Sequence, residues 1–123
     1  MNKFILILLV ITAYSFSQTA IPSPTGHPNA KLNSTVVNIG DFDGDGSDDL
    51  FFVLSEPSGA SNVVYYAVYS MKKNQYSMLE QVTSTFFVVK PDAIGDFDGD
   101  KMVEFVIGNI IYKYSSTLTK KKI

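Results

Sequence analysis

Short apolar runs separated by turn-forming residues follow one another along most of the chain. The runs are rich in Val, Phe, Ile and Tyr and cover residues 50–54, 63–69, 76–82, 86–89, 104–107 and 110–114. They are too short for helices, and their composition favours strands. Turn residues separate several of them, at Pro57-Ser58-Gly59, Lys72-Lys73-Asn74 and Gly108-Asn109. The pattern predicts an all-β chain built from antiparallel meanders, with a tight hairpin at the last of these turns.

Alternation within the runs indicates that both faces of the sheets are covered. In residues 63–70, Val, Tyr and Ala occupy one face, and Val64, Tyr66 and Val68 occupy the other. A strand that is apolar on both faces needs packing on both sides, as in the stacked blades of a propeller. We assign these aromatic side chains to the core and none to a ligand.

The N-terminal residues 1–17 have the pattern of a signal peptide. Lys3 precedes an apolar run over residues 4–11, and small and polar residues follow. The run is shorter than the roughly 20 residues that a membrane-spanning helix needs. We expect cleavage before Gln18 or after Ala20, and a mature protein that is secreted or extracellular, in the periplasm or at a cell surface, without a membrane anchor.

The rest of the chain divides into three parts. Residues 18–34 are rich in Pro and Ser and predict a linker, in which His27 is an exposed histidine with nothing nearby to orient its ring. The seven residues at 39–45 recur identically at 94–100, which is a spacing of 55 residues. Such a recurrence indicates an internal duplication. We therefore expect a first repeat over 35–90, and a second, incomplete repeat with a basic tail over 91–123.

Composition excludes several functions. The chain has 10 Lys, no Arg and a net charge of −2, which argues against nucleic acid as a partner. With no Cys and one His, neither a thiolate site nor a histidine-rich metal site can form. No Ser-His-Asp set and no pair of catalytic carboxylates can be assembled outside the Asp-rich stretches, so we expect no enzyme.

Two Asp-rich stretches carry the candidate chemistry. Acids alternate with glycine in both, so that their oxygens can turn toward one centre, and crowded carboxylates repel one another unless a cation neutralises them. Oxygen ligands in this number favour Ca²⁺ over Mg²⁺, zinc or copper. The predicted ligands are Asp41, Asp43, Asp45 and Asp49 with the carbonyl of Ser47, and Asp96, Asp98, Asp100 and Glu104 with the carbonyl of Met102.

These stretches have two other interpretations. An EF-hand requires a bidentate Glu at position 12, where this chain has Phe52 or Ile107, and strand-like residues follow where a helix should begin. An Asp-Gly-rich surface turn that binds nothing is the other interpretation. Two copies with the same spacing favour metal binding over that turn.

The stretch from Ile39 to Leu50 and its echo from Ile94 to Phe105 resemble the FG-GAP or VCBS repeat of integrin alpha-chain propellers and many secreted bacterial proteins. The first copy meets the pattern Asp-x-Asp-x-Asp-Gly-x-x-Asp fully, whereas the second has Lys101 for the glycine and Glu104 for the last Asp. The resemblance implies a β-propeller blade that holds Ca²⁺ between its first two strands. Such propellers usually have seven blades. We expect either a truncated copy, or completion by self-association or by blades of other chains.

These observations favour a secreted calcium-binding repeat module with a structural or adhesive role. One alternative is a fragment or accessory blade of a secreted carbohydrate-active enzyme or lectin. The other is a degenerate remnant without a function, against which calcium-dependent folding would count.

Overall fold

A computed structural model describes residues 20–83, 87–115 and 117–122, and the predicted signal peptide lies outside these ranges. The described residues form nine strands: β1 Lys31–Leu32, β2 Val37–Gly40, β3 Asp49–Ser58, β4 Ser61–Ser70, β5 Gln75–Gln81, β6 Ala93–Gly95, β7 Glu104–Ile107, β8 Ile110–Ser115 and β9 Thr117–Lys122. All of the strand pairs are antiparallel, which confirms the all-β prediction. Within the described ranges there is no helix long and apolar enough to cross a membrane.

The first sheet is built around the long hairpin of β3 and β4. The strands follow the order β1-β3-β4-β5, and β2 pairs with the beginning of β3 while β1 pairs with Leu54 and Ser55 further along it. The β3–β4 ladder runs from the pair Asp49–Ser70 to the pair Ser58–Ser61. This register places Asp49 at the end of the sheet from which the first Asp-rich loop leaves.

The second sheet has the order β6-β7-β8-β9. Gly108, with a φ of 60°, turns the chain between β7 and β8, at the position where the sequence predicts a hairpin. The described lysines of the expected basic tail belong to β9. This strand pairs with β8 from Ile110–Lys122 to Ser115–Thr117. A strand forms there because the outer edge of β8 offers backbone groups that need partners.

The prediction of a strand over residues 86–89 is wrong for the residues described there. Residues 87–89 lie outside the strands, and residue 86 lies outside the described ranges. The backbone N–H of Val88 donates to the hydroxyl of Tyr66 at 3.2 Å instead of joining a ladder. Pro91 follows shortly afterwards and is buried, and a proline has no N–H for a strand to use.

The two sheets pack face to face around a cluster of aromatic rings. From the side of the first sheet, the ring centroids of Phe42 and Phe51 lie 5.3 and 5.5 Å from that of Phe105 on β7. Phe105 in turn stacks on Tyr112 of β8 at 5.0 Å. All four side chains are buried, so this core joins the two halves of the described chain.

The opposite face of the first sheet is covered by residues 21–30, which we call the strap. Ile21 and Ala30 of the strap pack against a second core cluster that includes Phe52 and Leu54. The hydroxyl of Tyr76 on β5 donates to the carbonyl of Pro22 at 2.7 Å. The strap therefore differs from the exposed linker that its composition predicts, because its apolar side chains have a sheet face to cover.

His27 also differs from the exposed linker histidine that we expected. Its Nδ1 lies 2.7 Å from Oε2 of Glu56, and its ring meets the ring of Tyr65 edge-on at 4.9 Å. Glu56 is 29 residues away in sequence, so the partner that orients the ring is brought close only by the β3–β4 hairpin. This pair fastens the strap to the first sheet.

The outward face of the second sheet is more open. Ile94 and Phe97 are exposed there, and Val106 and Ile111, which alternate with the buried Phe105 and Tyr112, are half-buried. We call this surface, defined by Ile94, Phe97, Val106 and Ile111, the open face. Ile94 and Phe97 repeat Ile39 and Phe42 in sequence, and the pair Val106–Ile111 matches the pair Phe51–Val68 in the first sheet. The open face is therefore the counterpart of the face of the first sheet that the second sheet covers.

Candidate metal centre

The first loop, residues 41–48, joins β2 to β3 and is held by its own acids. Asp41 accepts hydrogen bonds from the backbone N–H groups of Gly44 at 2.8 Å and Gly46 at 2.9 Å. Gly44 and Gly46 have φ angles of 78° and 85°, which side chains with a Cβ adopt only at a cost. The glycines thus allow the chain to curl around the Asp41 carboxylate.

Asp49 lies at the bottom of this loop and is completely buried. Its Oδ2 accepts hydrogen bonds from the N–H groups of Phe42 at 2.8 Å and Asp43 at 3.1 Å. Its Oδ1 has no hydrogen-bond partner among the described residues. Burial raises the pKa of Asp49 to about 6, and the neighbouring Asp43 and Asp45 add to the rise. The carboxylate therefore has one oxygen that lacks a partner for its charge.

The first loop brings three of its acids together. Carboxylate oxygens of Asp41, Asp43 and Asp49 lie within 4.8 Å of one another. Asp43 is buried, and its Oδ2 also lies 3.0 Å from Nζ of Lys73 and accepts a hydrogen bond from Ser77 at 3.1 Å. These three acids form the core of the first candidate site.

Asp45 stands apart from that group. Asp45 accepts from the backbone N–H of Ser47 at 2.8 Å and from the hydroxyl of Ser70 at 2.9 Å. Its backbone carbonyl accepts from Nζ of Lys72 at 2.5 Å. The structure thus brings Asp41, Asp43 and Asp49 together from the predicted set, and uses the Asp45 side chain to tie the loop to β4.

The second loop, residues 96–103, repeats these hydrogen bonds. Asp96 accepts from the N–H groups of Gly99 at 2.7 Å and Lys101 at 2.8 Å, and Glu104 accepts from that of Phe97 at 2.6 Å. Lys101 takes the place of Gly46 with a φ of 72°. The backbone has therefore kept the shape of the first loop although the glycine that favours it is absent.

Four acids meet in the second loop. Carboxylate oxygens of Asp96, Asp98, Asp100 and Glu104 lie within 4.8 Å of one another. Three of these side chains are exposed, whereas Glu104 is buried and its Oε1 has no hydrogen-bond partner among the described residues. Burial raises the pKa of Glu104. All four predicted carboxylates of this loop are therefore gathered at one point.

A lysine from β8 lies against the second loop. Nζ of Lys113 contacts the carboxylate of Asp98, lies 2.7 Å from that of Asp100, and is 3.8 Å from Oε1 of Glu104. Hydrogen bonds to Asp100 and Asp98 raise the pKa of Lys113, and the hydrogen bond from Lys113 lowers that of Asp98. The sequence analysis missed this residue, since only the strand register brings it to the loop.

The two loops also touch each other. The backbone N–H of Val103 donates to the carbonyl of Asp41 at 2.8 Å. A Cβ on Gly40 would lie 2.9 Å from the Val103 side chain, and one on Gly44 would lie 3.1 Å from the sulfur of Met102. Met102, predicted to offer its carbonyl to a metal, therefore packs its side chain against the first loop.

The donor set of both loops fits a hard divalent cation. Every candidate ligand atom is a carboxylate oxygen, and neither nitrogen nor sulfur ligands are within the two groups. In each loop one buried carboxylate oxygen lacks a hydrogen-bond donor. Leaving such an oxygen unpaired costs free energy that a cation would recover.

A scan against protein-family models and searches of curated proteins and solved structures returned no match for this chain.

Proposed function

We propose that the chain is a secreted calcium-binding module of the β-propeller repeat type, with a structural or adhesive role and no catalytic activity. The observation that carries the proposal is the unpaired Oδ1 of Asp49. It lies in a fully buried carboxylate beside Asp41 and Asp43. A cation bound there would pair this oxygen and relieve the repulsion among the three acids.

The role we propose for calcium is to hold the first loop in its folded shape. Asp41, Asp43 and Asp49 come from the two ends of the loop, so an ion bound to all three would join the exit of β2 to the start of β3. Phe42 lies between two of these acids and is buried in the core between the sheets. Calcium in the loop would therefore stabilise the packing of that core.

We propose further that the open face is covered by a second copy of the chain. The corresponding face of the first sheet is covered by an antiparallel sheet, namely β6–β9, and the chain's own strap covers the other face of the first sheet. Exposed apolar side chains that cluster on one sheet face are typical of association surfaces. The partner surface in the second copy is its own open face.

Thermal unfolding with calcium and with a chelator tests the calcium proposal. Extracellular calcium modules have dissociation constants of about 10⁻⁴ to 10⁻³ M, so about 1 mM calcium would stabilise each occupied site by about 0.4 to 1.4 kcal/mol. We expect the melting temperature to rise by a few degrees. Asp49→Asn should abolish the rise, whereas Asp48→Asn, in the same loop but outside the group of three acids, should retain it. Identical melts of the unchanged chain in calcium and chelator would contradict the proposal.

A further inference from the structure

The two loops differ in the residue that lies across the ladder from their last acid. Ser70 on β4 pairs with Asp49 in the first sheet. In the second sheet, Lys113 on β8 stands opposite Glu104, one position beyond the pair Phe105–Tyr112. A lysine on a strand thus occupies the position that a serine occupies in the first loop.

Lys113 is held at this position by its backbone. It pairs with Thr119 on β9, and the hydroxyl of Thr119 donates to its carbonyl at 3.1 Å. Its ammonium group lies against two carboxylates, of Asp98 and Asp100, and 3.8 Å from the otherwise unpaired Oε1 of Glu104. One fixed cation therefore faces three of the four acids that would bind a metal in this loop.

The lysine beside the first loop is placed differently. Lys73 comes from the turn at residues 71–74 and pairs with Asp43 only. Within the described ranges, no lysine or histidine nitrogen lies within 4.0 Å of Asp49. The first loop therefore keeps its most buried carboxylate without a cation, and the second loop does not.

We propose that the ammonium group of Lys113 is the built-in counter-ion of the second loop, so that the chain takes up one calcium ion, in the first loop. This inference rests on the proposed function, because it assumes that the first loop binds calcium. A calcium ion entering this loop would have to displace the ammonium group from Asp98 and Asp100, or bind beside it against the repulsion of like charges. Either route weakens calcium binding in the second loop, and such loops bind calcium only modestly to begin with, with dissociation constants of about 10⁻⁴ to 10⁻³ M.

Calcium titration of the full mature chain and of two variants tests the inference. Lys113→Ser introduces the residue found opposite the first loop, and Lys113→Met keeps the alkyl stem without the charge. Lys120→Ser is the matched control, since Lys120 lies on the neighbouring strand and pairs with Glu80 rather than with the loop. Equilibrium dialysis counts the ions bound, and the amide resonances of Gly46 and Gly99 report on the first and second loops. Near-UV circular dichroism in millimolar calcium checks that each variant is folded.

We expect one ion per chain in the unchanged protein and in Lys120→Ser, and two in the Lys113 variants, with saturable shifts at Gly99 only in those variants. Two ions in the unchanged protein would overturn the inference and leave the proposed function standing. One ion in both folded Lys113 variants, bound at the first loop, would do the same. If none of the four proteins bound calcium, the proposed function would fail together with the inference.

Discussion

Two phenylalanines in identical sequence surroundings have opposite environments in this molecule. Phe42 is 0% exposed and Phe97 is 54% exposed, although each is the fourth residue of the same seven-residue stretch. Ile39 and Ile94 show the same contrast, at 2% and 41%. The hydrogen bonds within the two loops nevertheless correspond. Local sequence determines how each loop curls, whereas burial depends on what packs against it.

The neighbour that makes the difference is the second sheet. The ring of Phe42 lies 5.3 Å from that of Phe105 and 5.9 Å from that of Tyr114. Phe97 occupies the matching position on the open face. The same side chain is thus part of the core in one half of the molecule and part of the exposed open face in the other.

The largest expected effect is on folding stability. Phe42→Ala removes a fully buried ring from the core and should lower the free energy of unfolding by about 3–5 kcal/mol. Phe97→Ala removes a ring that is more than half exposed and should cost less than about 1 kcal/mol. Urea denaturation of dilute samples of both variants measures the difference. Equal losses would show that the two halves of the molecule are packed alike.

Calcium affinity should separate the loops in the same direction. Asp43→Ala removes a buried member of the group that includes Asp49, and should weaken calcium binding about tenfold or more, which is about 1.4 kcal/mol. Asp98→Ala changes a loop in which Lys113 and Lys101 already supply positive charge, so its effect should be smaller. Isothermal titration calorimetry gives the order. Asp98→Ala losing more affinity than Asp43→Ala would reverse the comparison.

Association through the open face should depend on Phe97. Phe97→Asp places a charge on this face, and we expect it to raise the dissociation constant of the dimer about tenfold relative to the unchanged chain. Leu32→Asp is the control, because Leu32 is 57% exposed but lies on β1, in the other sheet. Sedimentation velocity of the calcium-loaded proteins measures the change. A monomeric unchanged chain at all concentrations would contradict self-association.

The smallest effect concerns the backbone of the second loop. Lys101 has a φ of 72°, where Gly46 in the first loop has 85°. A left-handed conformation costs a residue with a side chain roughly 1 kcal/mol relative to glycine, so Lys101→Gly should raise the free energy of unfolding by up to about 1 kcal/mol. Gly46→Ala should lower it by a similar amount. Urea denaturation in chelator measures both, and a stability loss in Lys101→Gly would mean that the lysine side chain makes a contact worth more than the strain.

The strands and the loops could be predicted from sequence because their signals are local. Short apolar runs mark β3, β4 and β5, and the spacing of Asp and Gly marks both loops. The grouping of Asp41 and Asp43 with Asp49 also follows from that spacing. The sequence predicts less where local signals are weak, as in the strap and in β9, whose residues are mostly polar and lack the apolar run of the other long strands.

The contacts that the sequence could not show all join distant segments. His27 meets Glu56, Lys113 meets Asp98, and Val103 donates to Asp41, each across a separation that only the strand register or the sheet packing removes. Asp45 is the instructive site residue. Asp45 and Asp100 occupy the same position in the motif. The carboxylate of Asp45 accepts a hydrogen bond from the neutral Ser70, whereas the carboxylate of Asp100 accepts one from the charged Lys113.

The strap has a consequence for the self-association proposed above. A fibre requires two different sticky surfaces on each molecule, so that every added unit presents a fresh one. Here the outer face of the first sheet is already occupied by the chain's own residues 21–30, which are fastened by the Tyr76–Pro22 hydrogen bond and the His27–Glu56 pair. Of the sheet faces that the structure describes, the open face is the one left without a cover. The self-association proposed above would then end at two molecules, with the strap as the element that keeps a stackable sheet architecture from polymerising.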